Sequence, residues 1–357
     1  PEALSKKTFK SKHFRITKDD LVLYCRELAT LLGAGVTILK SLEIISKQVS
    51  SRRLYTVIKD SQKNLEAGLS FHEAMAKHPS VFSELWVNLI ESGEASGNLA
   101  MVLDRLAIFL ERNATFRRKM VSMLIYPVIL IVVGLSALLF LSIKIIPTFV
   151  EVFKGFDIKL PLLTQILVLI STFLRKFILI MFIIIAVSIF LFRKYTAKKS
   201  GRRQLENFIF KLPLFGEFVR VMVVERFTSE MATLVESGVP ILYSLEIAEH
   251  SVGNLTLGDI ISNIKEEVRN GKPLSQPMEK SGFFEPMAVQ MVSIGEEIGE
   301  LPNMFKRLNI FYQEYIDTFL TRFAAMFEPI MLVFMGLVIG IMVIGMFLPI
   351  FKIAEIR

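Results

Sequence analysis

The sequence predicts an all-α membrane protein with two homologous helical bundles, of about six helices each, and three transmembrane helices. Three observations support this fold class: a long internal duplication, apolar stretches of the length that crosses a bilayer, and apolar residues at helical spacing elsewhere. Of the 357 residues, 52% are hydrophobic, and they are concentrated in a few stretches rather than spread evenly. No stretch reads convincingly as a strand, so a helical bundle is the natural fold of the polar parts.

The duplication is clearest in a stretch that occurs twice. Residues 27–45 read ELATLLGAGVTILKSLEII and residues 230–248 read EMATLVESGVPILYSLEIA, with 12 of 19 positions identical at an offset of 203. A second motif, SGEASGNL at 92–99, returns as IGEEIGEL at 294–301, at an offset of 202. The chain is therefore a duplicated unit in which each copy has a polar helical part followed by an apolar span.

The polar part of each copy is predicted to form one helical bundle. A basic N-terminal tail covers residues 1–16, the first bundle residues 17–120, and the second bundle residues 218–321. Thr17 and Asp20 form a capping-box pattern at the start of the first helix, with a hydroxyl at the cap and an acid three residues later.

Two uncharged stretches of 23 residues, 121–143 and 329–351, are predicted as the first and third transmembrane helices, because about 20 residues suffice to cross a bilayer. The second span is predicted at residues 177–192, a short stretch whose flanking Arg and Lys side chains can reach the interface. Residues 144–176 are expected to form an extracytoplasmic or interfacial segment, in which two basic residues interrupt the apolar sequence. A re-entrant pair is the alternative.

The net charge of +8 is concentrated at the ends of the spans. Arg117, Arg118 and Lys119 precede the first span, and six basic residues follow the second span in a connector, residues 193–217. By the positive-inside rule both flanks are cytoplasmic, so both bundles are expected in the cytoplasm. These residues would also meet anionic lipid headgroups. Nucleic acid is not expected as a partner, because the basic clusters adjoin the spans and contain no interleaved aromatic residues.

No catalytic, cofactor-binding or metal-binding constellation is expected, and the chain is not expected to be an enzyme. The pair Gly271-Lys272 fails as a phosphate loop, because Pro273 stands where Ser or Thr is needed and the upstream glycine is missing. A polytopic transporter is the alternative function, but it would place ionisable residues inside its spans, and the three best spans carry none. The four histidines have no metal-ligand spacing: His13, His72, His78 and His250.

The repeated motifs at 92–99 and 294–301 are predicted as joints between two helices. Their glycines permit tight backbone geometry and close packing. Glu94 and Glu296 are expected near the start of the next helix, where a negative charge is favoured by about 0.3–1 kcal/mol. Each joint is either a partner contact or hinge, or simply a helix cap. The four glycines are Gly93, Gly97, Gly295 and Gly299.

Two further acids, Glu43 and Glu246, lie within otherwise apolar helical faces. They are either solvated positions of amphipathic helices or contacts to another subunit or an ATPase.

Small and helix-bending residues recur in the spans. Pro127 and Pro329 occupy equivalent positions and favour a kink, because proline removes a backbone hydrogen bond. Gly336 and Gly340 form a GxxxG face, which lets helices approach closely in lipid and is a candidate contact with a second copy or a pilin.

The order of motifs resembles a known family. LATLLGAGV with a following SLEII, then SGEASGNL, then the same pair again before a final span, resembles the inner-membrane platform proteins of type II secretion and type IV pilus systems, the type II secretion F domain family. The similarity covers nearly all of residues 17–351. Protein secretion, pilus extension and DNA uptake share such a platform.

The resemblance implies a multi-pass protein of the bacterial inner membrane that is not itself an enzyme. It would couple a cytoplasmic hexameric ATPase to the addition or removal of pilin-like subunits. It would form oligomers and contact other inner-membrane assembly components.

Overall fold

A computed structural model describes residues 13–154, 161–213 and 215–355. Residues 1–12 of the expected basic tail and residues 155–160 of the segment 144–176 lie outside the described residues. Within the described ranges the chain is helical and forms no β-strand; His13 and Ser51 make an isolated bridge. The all-α fold class is therefore confirmed.

The first bundle contains six helices that follow the polar part of the first copy. Thr17 and Asp20 form the expected capping box: the Asp20 amide donates to Thr17 Oγ1 over 3.1 Å, and the Thr17 amide donates to Asp20 Oδ2 over 2.7 Å. The first helix ends at a turn in which Gly35 has a φ of 82°, a conformation that favours glycine. The six helices are α1 (Lys18–Gly33), α2 (Ile38–Ser46), α3 (Arg52–Glu66), α4 (Phe71–Ala76), α5 (Glu84–Ala95) and the start of α6 (Leu99–Phe140).

After α6 the chain forms a π-helical segment (Leu141–Ile145), α7 (Ile146–Lys154), α8 (Leu162–Thr196) and α9 (Lys199–Phe210).

The second bundle repeats the first, helix for helix. Gly238, the counterpart of Gly35, again ends the first helix of the copy with a φ of 83°. The six helices are α10 (Phe215–Glu236), α11 (Ile241–Ser251), α12 (Leu255–Arg269), α13 (Ser275–Ser281), α14 (Pro286–Ile298) and the start of α15 (Leu301–Glu355).

The two bundles pack together into one compact unit. The core of the first bundle, built around residues such as Leu28 and Leu103, also includes Leu234, Val239 and Ile247 of the second bundle. The two bundles therefore bury apolar surface against each other. The sequence analysis predicted two separate bundles and did not predict this contact between them.

The spans form a second unit, residues 119–205 and 317–357. Among the described residues, three helical stretches are long and apolar enough to cross a membrane: Leu99–Phe153, Leu162–Thr196 and Leu301–Phe351, whose most apolar windows have mean hydropathies of 2.7, 2.5 and 2.8. Three spans thus agree with the fold class expected from the sequence.

The structure differs from the sequence reading at the second span. The sequence separated an interfacial segment, 144–176, from a span at 177–192. In the structure α8 is one helix of 35 residues, Leu162–Thr196, and it runs through Arg175 and Lys176 without a break. Arg and Lys are good helix formers, so the two charged residues change the polarity of the helix surface but do not end the helix. A re-entrant pair would need a turn that α8 does not contain.

Candidate functional site

The first repeated joint is a close helix crossing followed by a left-handed turn. A Cβ atom on Gly93 would lie 3.1 Å from Val102 Cβ and 3.2 Å from Leu99 Cα, so α5 and α6 touch backbone to side chain there. Gly97 has a φ of 69°. The joint needs glycine at both places, for packing at one and for backbone conformation at the other.

The second joint has the same construction. A Cβ atom on Gly295 would lie 2.9 Å from Met304 Cγ and 3.2 Å from Leu301 Cα. Gly299 ends α14 with a φ of 73°. The expected tight geometry is therefore present in both copies.

Glu94 and Glu296 lie elsewhere than the sequence reading placed them. Each was expected near the start of the next helix, but each sits in the last turn of its own helix. Glu94 accepts hydrogen bonds from the amides of Phe71 (2.7 Å) and His72 (3.0 Å), at the start of α4, and from His72 Nδ1 (2.6 Å). In α-helices side chains point back toward the N-terminus, which turns this carboxylate to the preceding helix.

Glu296 repeats the arrangement in the second copy. It accepts hydrogen bonds from the amide of Leu274, from the amide of Ser275 (2.9 Å) and from Ser275 Oγ (2.8 Å), where α13 begins. Each acid thus satisfies otherwise unpaired amides at the start of a short helix, and these amides precede the acid by more than twenty residues. These contacts agree with the interpretation of the acids as helix caps, but the helices that they cap are α4 and α13 and not the helices that follow the joints.

Glu43 and Glu246 lie at the surface of their helices. Glu43 accepts hydrogen bonds from Lys40 Nζ (2.8 Å) and Lys47 Nζ (2.7 Å). The hydrogen bond from Lys40, together with that from Lys47, lowers the pKa of Glu43 to about 2. Glu246 is exposed. Both acids are accessible to a partner, and neither holds the core together.

The histidines stand apart from one another. His13, His72 and His78 lie against three different acids, Asp20, Glu94 and Asp60. Within the described ranges no three His, Cys, Asp or Glu side chains are grouped as a metal site would require.

In the spans, Pro127 lies inside α6 and Pro329 inside α15. Gly134 packs closely on Met335, whose Sδ would be 3.1 Å from a Cβ atom at position 134. Gly336 and Gly340 differ, because no described atom lies within 4 Å of a Cβ atom at either position. The GxxxG face therefore makes no close contact with the described part of this chain.

Polar groups also join the span helices. Thr164 Oγ1 donates to the carbonyl of Gly345 over 2.5 Å, and Ser171 Oγ donates to the carbonyl of Ser142 in the π-helical segment. Such hydroxyl-to-carbonyl bonds hold helices together in an apolar environment.

A basic groove lies where the two bundles meet, and sequence reasoning missed it. Its volume is about 90 Å³, and α6, α10 and α15 line it. Arg105 Nη1 donates to the backbone carbonyl of Glu236, and Lys306 Nζ lies 3.7 Å from the Glu236 carboxylate. The polar and charged side chains that line it include Arg105, Arg112, Ser229, Glu236, Lys306 and Asn309.

Behind the groove lies a buried acid, Glu225, which is 7% exposed. Its Oε1 accepts hydrogen bonds from Asn309 Nδ2 (3.0 Å) and Gln313 Nε2 (2.8 Å). Burial raises the pKa of Glu225, because desolvation disfavours the ionised carboxylate.

A second buried acid, Glu230, lies five residues further along α10. It pairs with Arg226 at 3.2 Å, and burial raises its pKa too. Part of the signal for the groove lies at positions where the two copies differ in charge, such as Asp104 and its counterpart Lys306.

Comparison with known proteins finds the same duplication. The profile of the family described as type II secretion system (T2SS), protein F matches twice, over residues 24–147 and 227–349. The chain belongs to this family. The two matches coincide with the two copies, which confirms that the family's unit is the bundle together with its span.

Relatives from both branches of the family align along most of the chain. The type IV pilus assembly protein PilC of Thermus thermophilus is 38% identical over 335 residues, 94% of this chain and 82% of the relative. PilC of Pseudomonas aeruginosa is 32% identical over 338 residues, 94% of this chain and 90% of the relative. The type II secretion system protein F of Pseudomonas aeruginosa is 32% identical over 337 residues, 94% and 83%. These names and the three apolar helices fit an inner-membrane component of type II secretion or type IV pilus assembly.

Proposed function

We propose that this chain is a non-enzymatic platform of the bacterial inner membrane, which couples a cytoplasmic assembly ATPase to the polymerisation of pilin-like subunits. The observation that carries the proposal is the double match to the protein F family, in which each match joins one helical bundle to one apolar span. The bundles would contact the ATPase, and the spans would contact pilin-like subunits and other components of the assembly machine.

The packing of the bundles supports one shared compartment for them. Both bundles contribute to one buried core, which supports a location of the two on the same side of the bilayer. The chain between them must then cross the membrane an even number of times, and it contains two spans. By the positive-inside rule the cytoplasm is the proposed side, because Arg117 and Arg118 precede the first span and Arg193 and Lys194 follow the second.

This topology can be tested by cysteine labelling. Cys25 is the single cysteine, is fully buried, and has a pKa raised by burial, so it reacts poorly with maleimides. Single cysteines at exposed positions 66 and 246 should be labelled by a membrane-impermeant maleimide only after the inner membrane is opened. Labelling of one position in intact spheroplasts and of the other only after lysis would contradict the shared compartment.

The energy for assembly is proposed to come from a partner. Gly271, with a φ of 86°, follows the end of α12, and Lys272 Nζ lies 2.8 Å from Glu267. Pro273 follows in place of the hydroxyl that a phosphate loop requires. This lysine therefore has a local ion-pairing role, which supports a platform that does not hydrolyse nucleotide itself.

Two surfaces are proposed as contacts. Glu43 and Glu246 are accessible on the bundles, which suits contacts with the ATPase or another subunit. Gly336 and Gly340 leave a close-packing face open on α15, which suits contact with a second copy or a pilin-like subunit.

The decisive experiment is site-directed photocrosslinking in native membranes. A photoreactive amino acid is placed at positions 43 and 246 in the bundles and at 336 and 340 in the span, and captured proteins are identified by mass spectrometry. We expect an assembly ATPase from the bundle positions and pilin-like subunits or a second copy from the span positions. The photoreactive residue at exposed position 66 is the matched control.

Self-crosslinks alone, with neither an ATPase nor a pilin captured at any position, would refute the platform function. That result would favour a polytopic transporter, for which solute uptake would be the next assay.

A further inference from the structure

The basic groove between the bundles has an excess of positive charge. Arg105 and Arg112 lie seven residues apart, two turns along one face of α6, and Lys306 reaches the same groove from α15. Glu236 is the acid among the lining residues, and its contact with Lys306 is loose at 3.7 Å. Arg112 is exposed on α6, and it takes part in none of the ion pairs that the described ranges contain. Two guanidinium groups and one ammonium thus face a single acid.

The first copy shows how the equivalent positions are used when their charges are satisfied. By the repeat offsets, Arg26 corresponds to Ser229, Asp104 to Lys306 and Glu111 to Gln313. Arg26 donates to Asp104 Oδ1 over 2.5 Å and to both oxygens of Glu111 over 2.7 Å. These bonds lower the pKa of Glu111.

In the second copy the charges at these three positions are lost or reversed. The bulky cation is replaced by a small serine, and one acid by a lysine and the other by a neutral amide. Ser229 leaves space beside α6 instead of filling it, and the neighbouring lining is basic instead of acidic. In the first copy the Arg26 cation balances two acids. In the groove the excess charge is positive, so a group that balances it is an anion.

The size of the groove and the donors that line it suit a small anion. The groove has a volume of about 90 Å³, which exceeds the space that a single ordered water needs and leaves room for a small anion such as phosphate. Guanidinium groups present paired N–H donors that match phosphate oxygens, and such charge-assisted bonds are strong. The floor is polar and rigid: Ser229 and Asn309 are 8% and 7% exposed, and Glu225 holds the Asn309 amide.

We propose that the groove between the bundles is a binding site for one phosphate group, held by Arg105, Arg112 and Lys306. Because the site joins α6 of the first copy to α10 and α15 of the second, a bound phosphate links the two bundles to each other. The site does not depend on which partners the platform contacts.

The test uses the full chain in a phosphate-free maltoside detergent. Inorganic phosphate is titrated at constant ionic strength, and binding is followed by the ³¹P line width and by the unfolding temperature. We expect saturable binding in the wild type and at least tenfold weaker binding in Arg112→Gln. This variant should fold normally, because Arg112 has no acid partner to lose.

Two further variants make the result specific. Glu236→Gln removes the competing acid and should tighten phosphate binding severalfold, while Arg105 keeps its bond to the backbone carbonyl. Arg307→Gln is the matched control, because Arg307 is the counterpart of Arg105 in the second copy and does not line the groove. It should bind phosphate as the wild type does.

Three results would overturn the proposal. The first is no saturable phosphate binding in the wild type. The second is equal weakening in Arg112→Gln and Arg307→Gln. The third is displacement of phosphate by acetate at equal concentration, which would assign the groove to carboxylates.

Discussion

Glu94→Ala should destabilise the first bundle through the start of α4, which lies more than twenty residues earlier in the chain. The carboxylate accepts hydrogen bonds from the amides of Phe71 and His72, at 2.7 and 3.0 Å. A hydrogen bond to a charged group contributes about 1.5–3 kcal/mol. The Glu94 and His72 side chains are 25% and 27% exposed, so in the variant water can hydrogen-bond to the two amides and offset part of the lost stability. We therefore expect a loss of about 2–3 kcal/mol, not the full sum of two bonds.

The assay can use the single tryptophan. Trp86 is 2% exposed and packs in the first bundle between Tyr24 and Phe82, with ring centroids 6.2 and 5.3 Å away. Its fluorescence reports unfolding of this bundle during urea denaturation of the full chain in detergent. Glu94→Gln keeps one acceptor oxygen without the charge, and its loss should lie between those of the wild type and Glu94→Ala.

The matched control is Glu66→Ala, which removes an exposed acid from the same bundle and should change stability by less than about 0.5 kcal/mol. The reasoning would be refuted if Glu94→Ala unfolded at the same urea concentration as the wild type, or if both variants lost equal stability.

Three further predictions follow from other parts of the chain. Since burial raises the pKa of Glu225, its contribution to stability is present below its unfolded pKa and is lost as pH rises through the raised value; Glu225→Gln should flatten the dependence of Tm on pH and raise Tm at pH 8. Charge reversal at Glu43 and Glu246 should weaken assembly without unfolding the bundles, because both acids lie at the surface of their helices; normal pilus or secretion output in both single variants and the double variant would contradict it. Ile at both Gly336 and Gly340 should reduce oligomer size in detergent without unfolding the chain, because no described atom is close; an unchanged size would remove the GxxxG contact.

Much of the local structure could be read from the sequence because its causes are short-range. The capping box of Thr17 and Asp20 spans three residues, and both φ-positive turns at Gly35 and Gly238 coincide with the repeated motif. The two uncharged stretches gave two of the three spans for a related reason, since bilayer thickness sets a length that a count of apolar residues can match.

The second span was harder to delimit from sequence. Arg175 and Lys176 divide two apolar stretches, and polarity alone suggested a boundary there. Backbone hydrogen bonding in α8 ignores that boundary, because neither residue interrupts a helix. Hydropathy reports the environment that side chains prefer, whereas the ends of a helix are set by backbone hydrogen bonding.

The sequence by itself determined the duplication, the helices of each copy and the membrane character, since all three depend on residue type and spacing. Only the tertiary structure decided what Glu94 and Glu296 hold, how the bundles share a core, and that Arg105, Arg112 and Lys306 converge. Those contacts join residues from about twenty to two hundred positions apart. They depend on how the helices fold back on one another, and no local pattern encodes that.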